Sequence, residues 1–486
     1  MANEWATFGA DLHLDLTGRG RRKALMDALR EAVRSGRLTA GTRLPSSRSL
    51  AADLGMARNT VADAYAELTA EGWLTARQGS GTRVAPRSEP RPGPRPDPRP
   101  DPRPDPHPRA AGHPRPRPPL RPAPGTPLYD LQAGRPDVAS FPRADWLKAA
   151  RKALTAAPND AFGYGDPRGR IELRTALAEY LARARGVHAD PDRIVVCSGF
   201  VHGLQLVGRV LRDRGVRAVG VESFGLRAHR DLLARQDLRT PALGLDEKGT
   251  RTEELGSMDG VGAVLMTPAH QFPLGGALAP ARRAAAVDWA RAEGGLILED
   301  DYDGEFRYDR QAVGALQGLD PERVVYFGTA SKSLAPGLRL AWMMLPGDLA
   351  GEVAAAKGEV DWVSAATDQL TFAEFLASGA YDRHVRAMRL RYRRRRDQLV
   401  AAVAAHAPAL RVSGIAAGLH VVLELPPGTE ESTLRAAADQ GLALLGVDRF
   451  RHPDAAPLPD GIVVGYGTPP DSAWSGALET LCRVLP

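Results

Sequence analysis

The chain has 486 residues, 43% of them hydrophobic, and carries 64 Lys and Arg against 58 Asp and Glu, for a formal net charge of +6. That length suggests two or three cores. No run of about eighteen apolar residues offers a membrane span, and the acid-containing start MANEWATFGADLHLD lacks a secretory leader's basic-then-apolar pattern, which leaves the cytoplasm as the expected location.

In chain order, residues 22–35 come first and place Ala24, Leu25, Ala28, Leu29, Ala32 and Val33 on one apolar helical face. Ser46 or Ser47, after Pro45, caps a second helix, SRSLAADL, which Gly55 ends. A third helix is expected from about Arg58 to Glu71, with Val61, Ala64, Tyr65 and Leu68 on its buried side. Two short strands, WLTAR and TRVA, flank the turn QGSG. Three helices and a β-wing within residues 11–85 describe a winged helix-turn-helix. Such a fold reads the major groove through the first residues of its third helix, here Arg58, Asn59 and Thr60. Arginine matches a guanine edge and asparagine an adenine edge. Ser46 and Arg48 on the preceding helix, and Gln78, Gly79 and Ser80 in the wing, suit phosphates or the minor groove. Singly, each also reads as a solvated surface residue; together they describe a reader of double-stranded DNA.

Residues 86–127 form the sharpest change of composition, with the tetrad RPDP recurring at 95–98, 99–102 and 103–106. Almost without apolar side chains, this linker has nothing to bury and is expected to be disordered. Its alternating prolines favour extended polyproline II, so some forty residues reach on the order of 120 Å.

From residue 128 to 486, short apolar runs alternate with amphipathic helices. RIVVCSG, AVGVE, GAVLMTP, LILEDD, VVYFGT and LRLAWMMLP read as buried strands, so an α/β domain with a largely parallel sheet is expected. The two lone cysteines, Cys197 and Cys482, fit a reducing compartment and cannot build a zinc finger. GTASKSLAPGLRL sets Lys332 after a strand with Arg339 following; LILEDDYDGEF sets Asp300 at a strand end with Tyr302 beyond it. A pyridoxal phosphate pocket needs a lysine, a carboxylate facing the pyridine nitrogen and a phosphate cradle. Ser198, Gly199, Phe200 and Val201 can offer that cradle backbone amides at a helix N-terminus. Read separately, Lys332 is a solvated lysine, EDDYD a loop or divalent-metal site, and Arg339 half of a surface ion pair; in sequence, they have the order such a pocket requires.

These motifs carry two resemblances. The run SGRLTAGTRLPSSRSLAADLGMARNTVADAYAELTAEGWLTARQGSGTRVA resembles the GntR-type DNA-binding domain, with Ala57 where many relatives have Ser or Thr. The order YGDPRG (164–169), TPAHQFPLG (267–275) and GTASKSLAPGLRL (328–340) resembles fold-type I aminotransferases, which implies a large parallel-sheet α/β part and a smaller C-terminal α+β part. The fusion is similar to the MocR subfamily, which includes GabR- and PdxR-like regulators. The resemblance implies pyridoxal 5'-phosphate as cofactor, Lys332 as its Schiff-base lysine, Asp300 at the pyridine nitrogen and Arg339 with Thr329 at the phosphate. It also implies a homodimer in which Tyr164 reaches the partner's phosphate. Three departures lie at the substrate end. Leu226 replaces a ring-stacking tyrosine, leaving Phe224 as the stacking candidate. Phe272 stands where aminotransferases have Asn, leaving His270 as the candidate for the ring oxygen; and IVVGYG, with Val463 and Val464, replaces the carboxylate-binding arginine motif, leaving Arg449 or Arg451.

The expected function is a DNA-binding transcription regulator that responds to pyridoxal phosphate, or to an amine or amino acid bound to it as an aldimine. The alternatives are a working aminotransferase fused to a DNA-binding domain, and a degenerate domain retained for dimerisation. Whether the chain turns over substrate is left open.

Overall fold

The computed structural model describes residues 20–35, 37–77, 81–85, 127–308 and 313–486. The wing-turn residues Gln78, Gly79 and Ser80, and all but the last residue of the expected linker, lie outside these segments.

The first unit contains α1 (Arg21–Arg34), α2 (Ser47–Asp53), α3 (Arg58–Ala70), β1 (Leu74–Arg77) and β2 (Gly81–Val84). Leu25, Leu29, Ala32 and Val33 of α1 pack with Val61, Ala64, Tyr65 and Leu68 of α3 in one apolar cluster. The Ser46 hydroxyl caps α2 by accepting the Ser49 amide at 3.1 Å. At the start of α3, Ala57 stands at the cap position and supplies no side-chain hydrogen bond. β1 and β2 form an antiparallel wing with Leu74 opposite Val84.

The remainder is the α/β part. β3 (Tyr129–Asp130), α4 (Arg143–Ala156) and α5 (Ile171–Arg185) lead into β4 (Ile194–Cys197), α6 (Phe200–Asp213), β5 (Ala218–Glu222), α7 (Arg227–Ala234) and β6 (Ala242–Leu243). A small hairpin, β7 (Leu245–Asp246) and β8 (Gly249–Thr250), precedes β9 (Val261–Met266), α8 (Pro280–Glu293), β10 (Leu296–Asp300), β11 (Val324–Thr329) and β12 (Ala341–Met344). The large sheet has seven strands in the order β4-β12-β11-β10-β9-β5-β6. Strands β4, β5, β10, β11 and β12 are buried from end to end, as two helix-covered faces require, which is why they read as apolar runs. One strand departs from the expected parallel pattern: β12 runs antiparallel to both β11 and β4. An apolar run does not encode direction, so this reversal had no signal in composition.

After α9 (Gly347–Asp361), α10 (Ala366–Ala377) and the long α11 (Ala380–His406), the chain builds the smaller α+β part. It comprises β13 (Arg411–Ser413), β14 (His420–Glu424), α12 (Glu430–Asp439), β15 (Leu442–Ala443), β16 (Leu445–Gly446), β17 (Gly461–Gly465) and α13 (Asp471–Val484). Its antiparallel sheet has the order β13-β14-β17-β16, and β15 pairs in parallel with β3, tying the C-terminal part to the domain's start.

The DNA-reader unit packs on the α/β part. A shared apolar cluster joins Leu25, Leu68 and Trp73 to Ala286, Trp289, Leu316 and Leu319. At the same border Arg30, 7% exposed, makes a two-pronged ion pair with Glu71, with Nη2 2.7 Å from Oε1. A Cβ on Gly314 would stand 2.9 Å from that carboxylate, so the glycine lets the second domain approach. Among the described residues no helix is long and apolar enough to cross a membrane.

Candidate functional site

Open-sheet folds place ligands at the carboxyl ends of parallel strands, where chain direction gathers loops from several strands. Here β5 ends at Glu222, β9 at Met266, β10 at Asp300 and β11 at Thr329, and residues at or just after each line one cavity of about 300 Å³. Lys332, Asp300, Tyr302, Thr329, Arg339, Phe200 and Val201 all line it.

Lys332 follows β11 on a tight turn, and its ammonium donates to the Gly134 carbonyl at 2.7 Å. Burial lowers its pKa, opposed by the carboxylates of Asp300 and Asp303. A lysine so placed has a larger neutral, nucleophilic fraction than one in water. Asp300 is 8% exposed, and burial pushes its carboxyl well above the usual range, with the Lys332 charge acting the other way. A buried carboxylate of this kind is completed by a cation such as a protonated pyridine nitrogen.

One end of the cavity lies between the β11 turn and α6. Thr329 Oγ1 accepts the Ser331 amide at 3.1 Å, and its hydroxyl lies 2.8 Å from Ser331 Oγ. Arg339 adopts a left-handed backbone (φ 54°) and donates to the Ser198 carbonyl. A side chain at Gly199 would collide with that guanidinium, so glycine is what lets Arg339 reach the N-terminus of α6. The Ser198 amide instead bonds His202 Nδ1 at 3.1 Å and the Gly199 amide bonds the Cys197 carbonyl at 3.0 Å. Phe200 and Val201, the first residues of α6, are the ones facing the cavity.

Two expected residues stand elsewhere. Phe224 is 2% exposed and packs with Val422, Val447, Phe450 and Val463, outside the cavity wall. Leu226 and His229 line the wall instead. His229 rests on the Phe200 ring with centroids 4.7 Å apart, and burial lowers its pKa to about 4, so it is neutral near pH 7. His270 stands behind Tyr302, its Nδ1 3.0 Å from the phenol oxygen and 2.8 Å from Asp303 Oδ2. Tyr164 is 85% exposed and lies against Trp362, with the ring centroids 5.3 Å apart and the planes tilted by 58°, away from this chain's cavity.

At the substrate end, Val463 and Val464 are fully buried and Arg449 is exposed. Arg451 is paired with Asp448 at 2.6 Å; neither Arg449 nor Arg451 lines the cavity. Besides Arg339, the cavity wall holds Arg230, whose guanidinium donates to the carbonyls of Gly225, Phe450 and Arg451 at 3.1–3.3 Å. Sequence reasoning passed over Arg230, His229 and Gly134. It also passed over Glu222, a strand-end carboxylate like Asp300, whose two oxygens accept the Thr250 and Thr267 hydroxyls at 2.7 Å. For Glu222 the run AVGVE held the signal, an acid at the end of a buried strand.

On the DNA-facing side, Arg58 and Asn59 are exposed at the start of α3 and Thr60 is half-buried, with Ser46 and Arg48 exposed nearby on α2 and its cap. This is the geometry of a recognition helix presenting its first turn.

Comparison with known proteins agrees with this two-part architecture. Residues 21–84 match the model for bacterial regulatory proteins of the gntR family, and residues 126–225 and 255–455 match aminotransferase class I and II. The chain is 32% identical to the HTH-type pyridoxine biosynthesis transcriptional regulator PdxR of Corynebacterium glutamicum, covering 91% of each chain. It is 31% identical to the probable rhizopine catabolism regulatory protein MocR of Rhizobium meliloti, covering 91% of this chain and 89% of that one. Among solved structures, an archaeal alanine:glyoxylate aminotransferase superposes with a TM-score of 0.67 at 25% identity, over 74% of this chain and 91% of that chain. The chain therefore belongs to the gntR family of bacterial regulatory proteins, among those members that carry an aminotransferase class I and II domain.

Proposed function

We propose that the chain is a DNA-binding transcription regulator whose operator affinity responds to pyridoxal phosphate, or to an amine or amino acid joined to it, in the Lys332 pocket. The observation that carries this reading is the convergence of Lys332, Asp300, Tyr302, Thr329 and Arg339 on one cavity, in a chain that also exposes the first turn of α3. Pyridoxal phosphate, when bound, supplies an aldehyde that condenses with amines and a ring that withdraws electrons from the carbon so joined. Lys332 would hold the aldehyde carbon, Asp300 the ring nitrogen, Tyr302 the ring oxygen, and Arg339, Thr329 and the start of α6 the phosphate. Leu226 and His229 would cover the ring face.

A regulator is favoured over a working aminotransferase by the substrate end. Among the described residues its added cation is Arg230, and three of that guanidinium's donors are already turned to backbone carbonyls, which leaves it less available to a free carboxylate than an unengaged arginine. Coupling between sites requires that ligand favour one of two conformations. The packed border around Arg30, Glu71 and Gly314 offers a place for such a change, because the DNA reader rests there on the domain that holds the pocket. A second copy is part of the proposal. Exposed Tyr164, Trp362, Phe162 and Val360 supply an apolar patch for it, from which Tyr164 would reach the partner's phosphate.

Two experiments test the reading. Titration of the purified protein with pyridoxal phosphate should produce a visible band that Lys332→Ala abolishes; an unchanged band in that variant would refute Lys332 as the anchor. DNA fragments selected from a random pool then serve as operator, on which Arg58→Ala should cost about 1–3 kcal/mol while binding to random DNA changes far less. Equal losses on both would remove Arg58 as a base reader.

A further inference from the structure

His270 holds a position that the pocket chemistry above leaves unexplained. It is 2% exposed, on the loop after β9, and a single ring nitrogen, Nδ1, meets two oxygens: Asp303 Oδ2 at 2.8 Å and the Tyr302 phenol oxygen at 3.0 Å. Asp303 is 3% exposed, and its negative charge acts on the Tyr302 phenol as well. Three groups therefore compete for two protons, and the tautomer decides the outcome. A carboxylate only accepts, so Nδ1 carries its proton toward Asp303. With Nδ1 protonated, the phenol cannot donate to it and can only accept a share of the same N–H. Its own proton is then free to turn to the cavity that Tyr302 lines.

The surroundings fit that assignment. Among the described residues, His270 Nε2 has no hydrogen-bond partner, as suits a ring whose proton sits on Nδ1. The neighbouring His420 of β14, with its ring centroid 4.9 Å away, binds the Pro273 carbonyl through Nε2 at 2.9 Å, and burial lowers its pKa to about 3, so it brings no charge. The other ionisable groups facing the cluster include Lys332, Asp300, Tyr308 and Tyr466. Gly418 closes the back. A side chain there would collide with both the His270 ring and the Asp303 carboxylate, and the Gly418 backbone is itself fixed by Phe306 at 2.7 Å and the Tyr466 hydroxyl at 2.8 Å.

We infer that His270, held by Asp303, is a positioning residue that makes Tyr302 a hydrogen-bond donor into the cofactor pocket. The inference rests on the cofactor reading proposed above. Without the Nδ1 proton, the Tyr302 hydroxyl turns back to donate to the bare nitrogen, or toward the Asp303 carboxylate where leucine replaces the ring, and the pocket loses its donor. A donor at the cofactor's ring oxygen draws electron density from the group joined to Lys332, so losing it lets that group hold its proton to higher pH.

The test is the pH midpoint of the visible band of bound pyridoxal phosphate in the full chain. Tyr302→Phe should raise the midpoint by about one pH unit, the worth of one hydrogen bond. His270→Leu should raise it similarly, and His270→Leu combined with Tyr302→Phe should go no further than either alone. His270→Asn, whose amide stands where Nδ1 stands, should restore the midpoint, whereas His270→Gln, which reaches toward Nε2, should not. That pair decides the matter even if the leucine variant fails to fold. A midpoint that moves with Tyr302→Phe but is indifferent to His270, or effects that add in the double variant, would overturn the inference alone. No band in the unsubstituted protein would overturn the cofactor reading and this inference with it.

Discussion

The strand end at Glu299–Tyr302 presents two faces made from the same residue types. Successive side chains on an extended segment point to opposite sides. On one side, Glu299 accepts the Leu316 and Gln317 amides at 2.7 and 2.9 Å. Beside it, Asp301 accepts Arg185 through both oxygens at 2.7 and 2.9 Å, and the Tyr326 hydroxyl at 2.8 Å. On the other side, Asp300 and Tyr302 face the cavity. The carboxylates whose oxygens are saturated by the protein hold the fold, and the one turned to the cavity is available to a ligand. Burial alone does not separate them, since Glu299, Asp300 and Asp301 are all buried.

The contrast is broken most severely at Arg185. Its ion pair with Asp301 is almost fully enclosed, so Arg185→Ala should strand a buried carboxylate and cost about 3–5 kcal/mol in urea unfolding. A loss below 1 kcal/mol would mean that the pair is not structural. Asp300→Asn should behave in the opposite way. Folding holds the Asp300 carboxyl protonated to a higher pH than the unfolded chain does. Its contribution is therefore fully present below the unfolded carboxyl range and is lost as pH rises above it. Without added cofactor, Asp300→Asn should be at least as stable as the parent at pH 8, gaining relative to its own difference at pH 4, while binding pyridoxal phosphate more weakly. A variant that is destabilised and still binds the cofactor normally would reverse the two faces. The smallest effect lies in the DNA reader: Ser46→Ala removes the α2 cap and should cost about 1 kcal/mol, measured by thermal unfolding.

The two regions also differ in how far the sequence revealed them. In the DNA reader, helix periodicity and the Ser46 cap placed all three helices within one or two residues, because the buried face of each is set by neighbours close in sequence. The large domain's strands were legible as apolar runs, but their direction was not, and β12 is the case in point. Lys332, Asp300, Tyr302 and Arg339 could be picked out by their spacing to strand ends. Phe224 and His270 could not be placed, because a shift of one or two residues along a loop decides which side chain meets the cavity and which packs behind it. The Arg30–Glu71 pair was equally hidden: the two charges lie 41 residues apart, on α1 and at the end of α3, and meet in a buried pair beside Gly314 of the second domain.

The central claim is that occupancy of the Lys332 pocket changes the grip of α3 on DNA. The direct measurement is fluorescence anisotropy on a selected DNA fragment, using protein free of cofactor, loaded with pyridoxal phosphate, and loaded and then given candidate amines. Loading, or the amine that follows, should change the dissociation constant at least about fivefold, the lower end of ordinary coupling, and Lys332→Ala should abolish that response while keeping the cofactor-free affinity. One dissociation constant across all states, in protein whose visible band proves it loaded, would contradict the account.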